Sequence, residues 1–230
     1  MFYPFFYDST YVLVMLGAIL SIWASHRVNA TFAKYDRVRS MRGITGAEAA
    51  RRILSANGIT NVSIHRRSGN LTDCYVPSKK ELYLSDSTYD SCSIAAIGVA
   101  AHECGHAIQD AVRYVPLTLS NAIHPACAIG SNLGIPITIM GILLSMRPLI
   151  LVGIVLFGLG VLISLVTLPV EYNASNRALA ILENTGILSD EELVGTKKVL
   201  RAAGLTYVAA AAAMILNLLR LLLLARRDDN

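Results

Sequence analysis

The sequence is poor in charge, and its few charged residues are unevenly distributed. Asp, Glu, Lys and Arg make up 16% of the 230 residues and apolar residues make up 54%, against roughly 25% and 45–50% in an average soluble domain. Four stretches of 18, 33, 23 and 18 residues contain none of the four charged residue types. Because a helix that crosses a bilayer needs about 20 largely apolar residues, these gaps argue against a soluble protein and predict a membrane protein.

The uncharged stretches predict four membrane-spanning helices, near residues 9–26, 121–145, 149–169 and 205–224. The fourth contains Asn217 and Arg220, so a helix that lies in the membrane interface is the alternative for it. Basic residues follow the first stretch instead of preceding it, which favours a retained anchor over a cleaved signal peptide.

Cysteine and positive charge are also sparse. The four cysteines form no CxxC pair, which argues against a disulfide framework. A net charge of +4 is too small to indicate a nucleic-acid partner, and we expect none. Seven Lys and Arg lie between Arg27 and Arg52, and such an excess beside a span is typical of the cytoplasmic side. We therefore expect residues 27–113 on that side, although a fourth span would place Arg226 and Arg227 on the other.

Between the first two spans the pattern is mixed and predicts a small α+β portion. Thr45 is placed to cap a short helix that ends near Asn57. Residues 71–76 and 81–84 predict a hairpin, because the segment between them is typical of a turn. We expect a polar loop at residues 86–90. The remaining helices predicted outside the spans are a basic one along the membrane surface at 27–43, an alanine-rich one at 91–112 and a charged one at 189–203.

The helix predicted for residues 91–112 contains His102-Glu103-Cys104-Gly105-His106. Residues four apart lie on one face of an α-helix, so His102 and His106 can offer imidazole nitrogens to one metal ion. Zn²⁺ lowers the pKa of its water towards ~7, and the carboxylate of Glu103 can accept the proton. The neighbours on this helix are apolar, and unpaired polar side chains would be costly there. The motif predicts a zinc-dependent hydrolase; the alternative is an ordinary helix with two exposed histidines.

Glu171 is the predicted third ligand, since a catalytic zinc site has three protein ligands and one open position. It is the first acidic residue after the second and third spans, and two spans return the chain to the side of the membrane that it left. Ala174 and Ala178 follow on the same helical face, and this stripe of small residues predicts a close approach to the motif helix. The alternative is an interfacial acid at the start of a helix.

Arg177 is predicted as a second catalytic residue beside Glu103. Its guanidinium could stabilise a developing oxyanion or pair with a substrate carboxylate. The alternative is a surface charge or a partner for lipid headgroups. His26, His65 and His124 are isolated in the sequence, and we expect them to be structural or surface residues.

Further blocks extend this pattern over nearly the whole chain: Leu71-Thr72-Asp73, Leu82-Tyr83-Leu84-Ser85, Ser93-Ile94-Ala95-Ala96, the motif with the Ala107-Ile108-Gln109 that follows it, and Leu168-Pro169-Val170-Glu171. Together they resemble the bacterial membrane-bound neutral zinc metallopeptidases, the YugP-like proteins, and more distantly the HtpX-type membrane peptidases. The resemblance implies Zn²⁺ as the cofactor. By position it implies His102, His106 and Glu171 as the ligands and Glu103 as the base.

Two residues depart from the pattern of these relatives. Cys74 stands where the family usually has a histidine, and its thiolate could block the zinc in a latent form. Ser175 stands where peptidases with a glutamate ligand often carry an aspartate that supports a ligating histidine. We therefore expect weaker support for that histidine, or support from another residue.

These observations predict a mainly α membrane protein, with about four transmembrane helices and a small zincin-like α+β catalytic portion. We expect one membrane-integrated peptidase domain over residues 1–230, with its catalytic portion in 27–118 and 170–204 at the membrane surface. The expected location is a bacterial cell membrane, with several passes and the active site on the cytoplasmic side.

The predicted function is zinc-dependent cleavage of membrane or membrane-proximal polypeptides. Residues 81–84 could form a sheet edge that aligns an extended substrate, or an ordinary sheet strand. The alternative function is a zinc-binding membrane scaffold or assembly partner without activity, and a partner subunit or homo-oligomer is compatible with both. A channel is disfavoured, because Arg220 is the only Asp, Glu, Lys or Arg within the predicted spans.

Overall fold

The structure, a computed structural model, describes residues 9–227; Asp8, which bounds the first uncharged stretch, lies outside them. The described chain forms seven helices and three strands. In order along the chain these are α1 (Tyr11–Asp36), α2 (Gly46–Ala56), β1 (Ser63–Arg67), β2 (Cys74–Val76), β3 (Glu81–Ser85), α3 (Asp86–Tyr89), α4 (Ile94–Ala111), α5 (Val115–Leu143), α6 (Arg147–Asn184) and α7 (Asp190–Arg227).

Four of these helices, α1, α5, α6 and α7, are long and apolar enough to cross a membrane. The prediction of a mainly α membrane protein with a small sheet is therefore confirmed. The helices do not end where the apolar stretches end, however. α1 continues through the basic segment to Asp36, so the separate surface helix predicted for 27–43 is wrong, and the helix predicted for 189–203 is the first part of α7.

The continuity has a simple physical reason. A helix that passes from lipid into water keeps its internal hydrogen bonds, so a change of composition alone does not end it. Even Pro169 lies inside α6, where the proline removes only one intrahelical hydrogen bond.

The chain divides into two compact units. The apolar unit contains, of the described residues, 9–25, 119–168 and 206–227. The mixed unit contains residues 26–118 and 169–205.

Within the apolar unit, α5 and α6 approach each other at glycines. A Cβ at Gly134 would lie 2.6 Å from the backbone nitrogen of Phe157, and a Cβ at Gly153 would lie 2.5 Å from that of Thr138. Small residues at such contacts let membrane helices pack closely without polar contacts between them. The hydroxyl of Thr138 donates to the carbonyl of Gly134, one turn earlier in its own helix, at 2.8 Å.

Within the mixed unit, the three strands form a sheet in the order β1-β3-β2. β1 runs parallel to β3, and β2 runs antiparallel to it, as the predicted hairpin requires. The expectation that residues 81–84 form an edge is wrong, because β1 pairs along the other side of β3. Leu82 and Leu84 are fully buried and join a core that includes residues of α2 and α4.

The two helices that flank the sheet begin at capped positions. The hydroxyl of Thr45 accepts a hydrogen bond from the backbone N–H of Glu48 at 3.1 Å, which confirms the predicted cap of α2. Ser93 caps α4 in the same way, accepting from the N–H of Ala96 at 3.0 Å. The polar loop predicted at residues 86–90 is wrong: Asp86–Tyr89 form the short helix α3, and an acidic first residue favours a helix start.

Candidate metal centre

Helix α4 places two imidazoles side by side. His102 and His106 lie one turn apart on it, and their ring centroids are 4.8 Å apart with the planes at 85°. The rest of the helix is mostly alanine, glycine and isoleucine and is buried over most of its length. The motif histidines therefore occupy a largely buried position, and only 14% of each side chain is exposed.

The carboxylate of Glu171 on α6 meets both imidazoles. Its Oε2 lies 3.2 Å from Nε2 of His102 and 3.6 Å from Nε2 of His106. One ligand atom from each residue lies within 4.8 Å of the others. Ligands at about 2.1 Å from a tetrahedral zinc are roughly 3.4 Å apart. The two distances to Glu171 are close to that separation, so the group is already shaped for a small cation.

A close approach of α4 and α6 makes this meeting possible. A Cβ at Gly105 would lie 2.6 Å from the carbonyl oxygen of Ala174, so no larger residue fits without moving a helix. Ala174 and Ala178 are both fully buried. The sequence predicts this contact through the small-residue stripe that follows Glu171.

Each motif histidine has a further hydrogen-bond partner at its outer nitrogen. Nδ1 of His102 lies 3.1 Å from the hydroxyl of Ser175, which stands where an aspartate was expected. Nδ1 of His106 lies 3.0 Å from Oε1 of Gln109. Partners of this kind orient metal-binding imidazoles.

Gln109 is the main residue that the sequence reasoning missed. Its side chain is fully buried, and its Nε2 donates to the carbonyl of Val170 at 2.8 Å and to Oδ1 of Asn173 at 3.0 Å. Nε of Arg177 donates to the same Oδ1 at 2.7 Å. An amide three residues after His106 on an apolar helix was the signal available in the sequence. Arg177 thus reaches the metal group through Asn173 and Gln109.

Glu103 lies beside the two histidines and is 8% exposed. Burial is the largest influence on its carboxyl group and raises the pKa of Glu103, while the charges of the two histidines oppose the rise. Burial is also the largest influence on His106, where it lowers the pKa of the imidazole. The hydrogen bond with Glu171 and the nearby carboxylates outweigh it and raise the pKa of His106 to about 9. That rise reflects a negative potential, which also favours a divalent cation.

Cys74, the first residue of β2, is not a member of this group. An Nη atom of Arg67 donates to its sulfur at 3.1 Å, and Cys74 pairs with Tyr83 across the sheet. Among the described residues, the cluster able to hold a metal consists of His102, His106 and Glu171, without Cys74.

The donor set fits zinc. Two imidazole nitrogens and one carboxylate are ligands that Zn²⁺ accepts in catalytic sites, and three protein ligands leave a position for water or substrate. Hydrogen bonds at the outer nitrogens of both imidazoles are the surroundings that such ligands require.

Comparisons with known proteins agree with this chemistry. Residues 10–226 match the family described as "Putative neutral zinc metallopeptidase". The chain is 42% identical over 223 residues to "Putative membrane protease YugP" of Bacillus subtilis (strain 168), a match that covers 96% of this chain and 99% of the relative. No solved structure matches the chain. The family match spans nearly the whole sequence and implies Zn²⁺ as the metal, and the chain therefore belongs to this family of zinc metallopeptidases.

Proposed function

We propose that the protein is a zinc-dependent membrane endopeptidase in which His102, His106 and Glu171 hold the metal and Glu103 is the general base. One observation carries the proposal: two imidazoles of α4 and a carboxylate of α6 converge within 4.8 Å of one another. Glu103, a buried glutamate that is not one of these three ligands, lies next to them. A site meant only to hold zinc would not need that glutamate.

The chain's own residues account for the proton transfers of peptide hydrolysis. When bound, zinc acidifies water and polarises a carbonyl group. Glu103 accepts a proton from the attacking water as the water oxygen bonds to the carbonyl carbon of the substrate. Glu103 then delivers this proton to the leaving amine nitrogen as the C–N bond breaks. Burial raises the pKa of Glu103, which makes the carboxylate a stronger base for the first step.

We propose β2, not residues 81–84, as the strand that aligns the substrate. Among the described strands β2 pairs with β3 alone, so its other edge can take an extended peptide. Asp73 directly precedes β2, and its charge contributes to the raised pKa of Glu103. The start of β2 therefore lies close to the proposed base.

The substrates that we propose are membrane or membrane-proximal polypeptides. Glu171 follows Leu168, the last α6 residue of the apolar unit, by three residues, which is about 5 Å along a helix. The basic residues after the first span support our proposal that the site lies on the cytoplasmic side of a bacterial cell membrane. Arg177, anchored at Nε by Asn173, offers its remaining N–H groups to an oxyanion or to a substrate carboxylate.

Replacement of Glu103 by glutamine tests this function. The purified Glu103→Gln protein should keep its zinc, because no ligand changes, and should cleave membrane-protein substrates at least about 100-fold more slowly, because the base is lost. Zinc content and cleavage of a panel of membrane proteins are measured on the same preparations as wild type. Undiminished cleavage by Glu103→Gln would exclude Glu103 as the base. A wild-type protein that binds zinc but cleaves nothing in the panel would favour the scaffold alternative.

A further inference from the structure

The side-chain amide of Gln109 can be oriented in only one way. Its Nε2 faces the backbone carbonyl of Val170 at 2.8 Å, and a carbonyl oxygen can only accept a hydrogen bond. The NH₂ end of the amide must therefore point at Val170, and Oε1 must point at Nδ1 of His106, 3.0 Å away.

A second group fixes the same polarity from the other side. Nε of Arg177 donates to Oδ1 of Asn173 at 2.7 Å, and a guanidinium can only donate. The oxygen of Asn173 therefore faces both Arg177 and Nε2 of Gln109, which lies 3.0 Å away. Neither amide can be reversed without placing two donors or two acceptors against each other.

The fixed amide determines which nitrogen of His106 carries the proton. Because Oε1 of Gln109 only accepts, Nδ1 of His106 must be the protonated nitrogen. In a neutral ring this leaves the lone pair on Nε2, which is the atom that faces Glu171 at 3.6 Å. By contrast, the hydroxyl of Ser175 beside His102 can donate or accept, so it does not impose a tautomer.

We infer that Gln109 is a positioning residue that holds His106 in the tautomer and ring orientation required for zinc; this inference rests on the proposed function. The same amide also links the two helices that supply the ligands. Val170, whose carbonyl it engages, directly precedes Glu171 in the chain. Gln109 therefore positions one ligand on α4 against another on α6.

Replacement of Gln109 by methionine removes all three hydrogen bonds of the amide, to His106, Val170 and Asn173, and keeps the length of the side chain. We expect Gln109→Met to bind zinc about 10- to 100-fold more weakly, the usual effect of losing such a partner. Zinc affinity is measured by competition with a chelator on the detergent-solubilised chain. The visible spectrum of the Co²⁺-substituted protein is recorded in parallel and should change, because it reports the ligand geometry.

Thr196→Val is the matched control. The fully buried hydroxyl of Thr196, on α7, shares its proton between the carbonyl of Ile94 at the far end of α4, at 3.2 Å, and the carbonyl of Glu192 in its own helix, at 3.1 Å. Replacing the hydroxyl removes a buried polar contact between α7 and α4 and should lower the melting temperature, while zinc affinity and the Co²⁺ spectrum stay at wild-type values. An equal loss of zinc affinity in Thr196→Val would mean that any loosening of α4 weakens the site, which would overturn the inference.

Wild-type zinc affinity and an unchanged Co²⁺ spectrum in Gln109→Met would also overturn it. If Gln109→Met does not fold, Asn173→Ala replaces it, and unchanged zinc affinity in that variant contradicts the inference. His106→Ala separates this result from the proposed function. Zinc retained in His106→Ala would refute the ligand set itself, whereas zinc lost in His106→Ala but held normally by Gln109→Met would refute only the role of Gln109.

Discussion

Helix α6 contributes to both units, and it is packed differently in each. In the apolar unit its contact with α5 depends on shape, at Gly134 and Gly153. In the mixed unit its contact with α4 uses the same device, since a Cβ at Gly105 would meet the backbone of Ala174. There, however, hydrogen bonds also cross between the helices, from Gln109 to Val170 and between His102 and Ser175. Close packing alone joins two helices, whereas a metal site also needs their rotation to be fixed.

The largest effect on zinc affinity should come from adding a methyl group at Gly105, in the contact between α4 and α6. In Gly105→Ala the new Cβ would lie 2.6 Å from a backbone oxygen of α6, so α4 and α6 must separate. Their separation moves Glu171 away from the two histidines, and zinc affinity should fall at least about 100-fold, beyond the loss of a single supporting hydrogen bond. Chelator competition measures it, and wild-type zinc affinity would show that the contact does not position the ligands.

The equivalent change in the apolar unit should separate stability from metal binding. Gly153→Ala places a Cβ 2.5 Å from the backbone of Thr138, and such overpacking costs about 1–3 kcal/mol. We expect a lower melting temperature with unchanged zinc content. Gly158→Ala is the matched control on the same helix, because nothing lies within 4 Å of its Cβ position. A loss of zinc in Gly153→Ala would mean that the two contacts of α6 are not independent.

The smallest effect concerns a hydrogen bond of the mixed unit that does not involve the metal group. The hydroxyl of Tyr75 donates to Asp110 at 2.6 Å, and its loss in Tyr75→Phe should cost about 1 kcal/mol with zinc affinity unchanged. Burial and then this hydrogen bond raise the pKa of Tyr75. The folded chain therefore holds the phenol proton more tightly than the unfolded chain does.

The sign of the pH effect follows from that difference. The stabilisation is complete below the unfolded tyrosine pKa of about 10 and is lost as the pH rises above it. Thermal unfolding from about pH 8 to about pH 11 should thus show a steeper alkaline decline for wild type than for Tyr75→Phe. Parallel curves would contradict the assigned role of the hydrogen bond.

Features determined by local geometry could be predicted from the sequence. Three such features depend on residues close in the chain: the helical spacing of His102 and His106, the cap at Thr45 and the hairpin of β2 and β3. Glu171 could be proposed because counting apolar spans predicts the side of the membrane on which it emerges. The structure brings these three metal-binding candidates together, and their roles as ligands stay predictions.

Features determined by the mutual arrangement of elements could not be predicted. The partnership of Gln109 with Val170 depends on how α4 and α6 are rotated about their axes, and no sequence pattern records that rotation. β3 is the central strand because β1, which precedes the β2–β3 hairpin in the chain, pairs along the edge of β3 that β2 leaves open. The continuation of α6 past Leu168 was missed because the composition changes there, although Pro169 removes only one intrahelical hydrogen bond.

The most direct test of the account is the zinc content of purified ligand variants. Wild type should carry about one zinc ion per chain, and both His106→Ala and Glu171→Ala should carry far less, because each removes one of three ligands. His65→Ala is the control, since this exposed histidine on β1 lies 3.0 Å from the hydroxyl of Ser63 and outside the metal group. Its zinc content should equal that of wild type. A Glu171→Ala protein with a full complement of zinc would contradict the account.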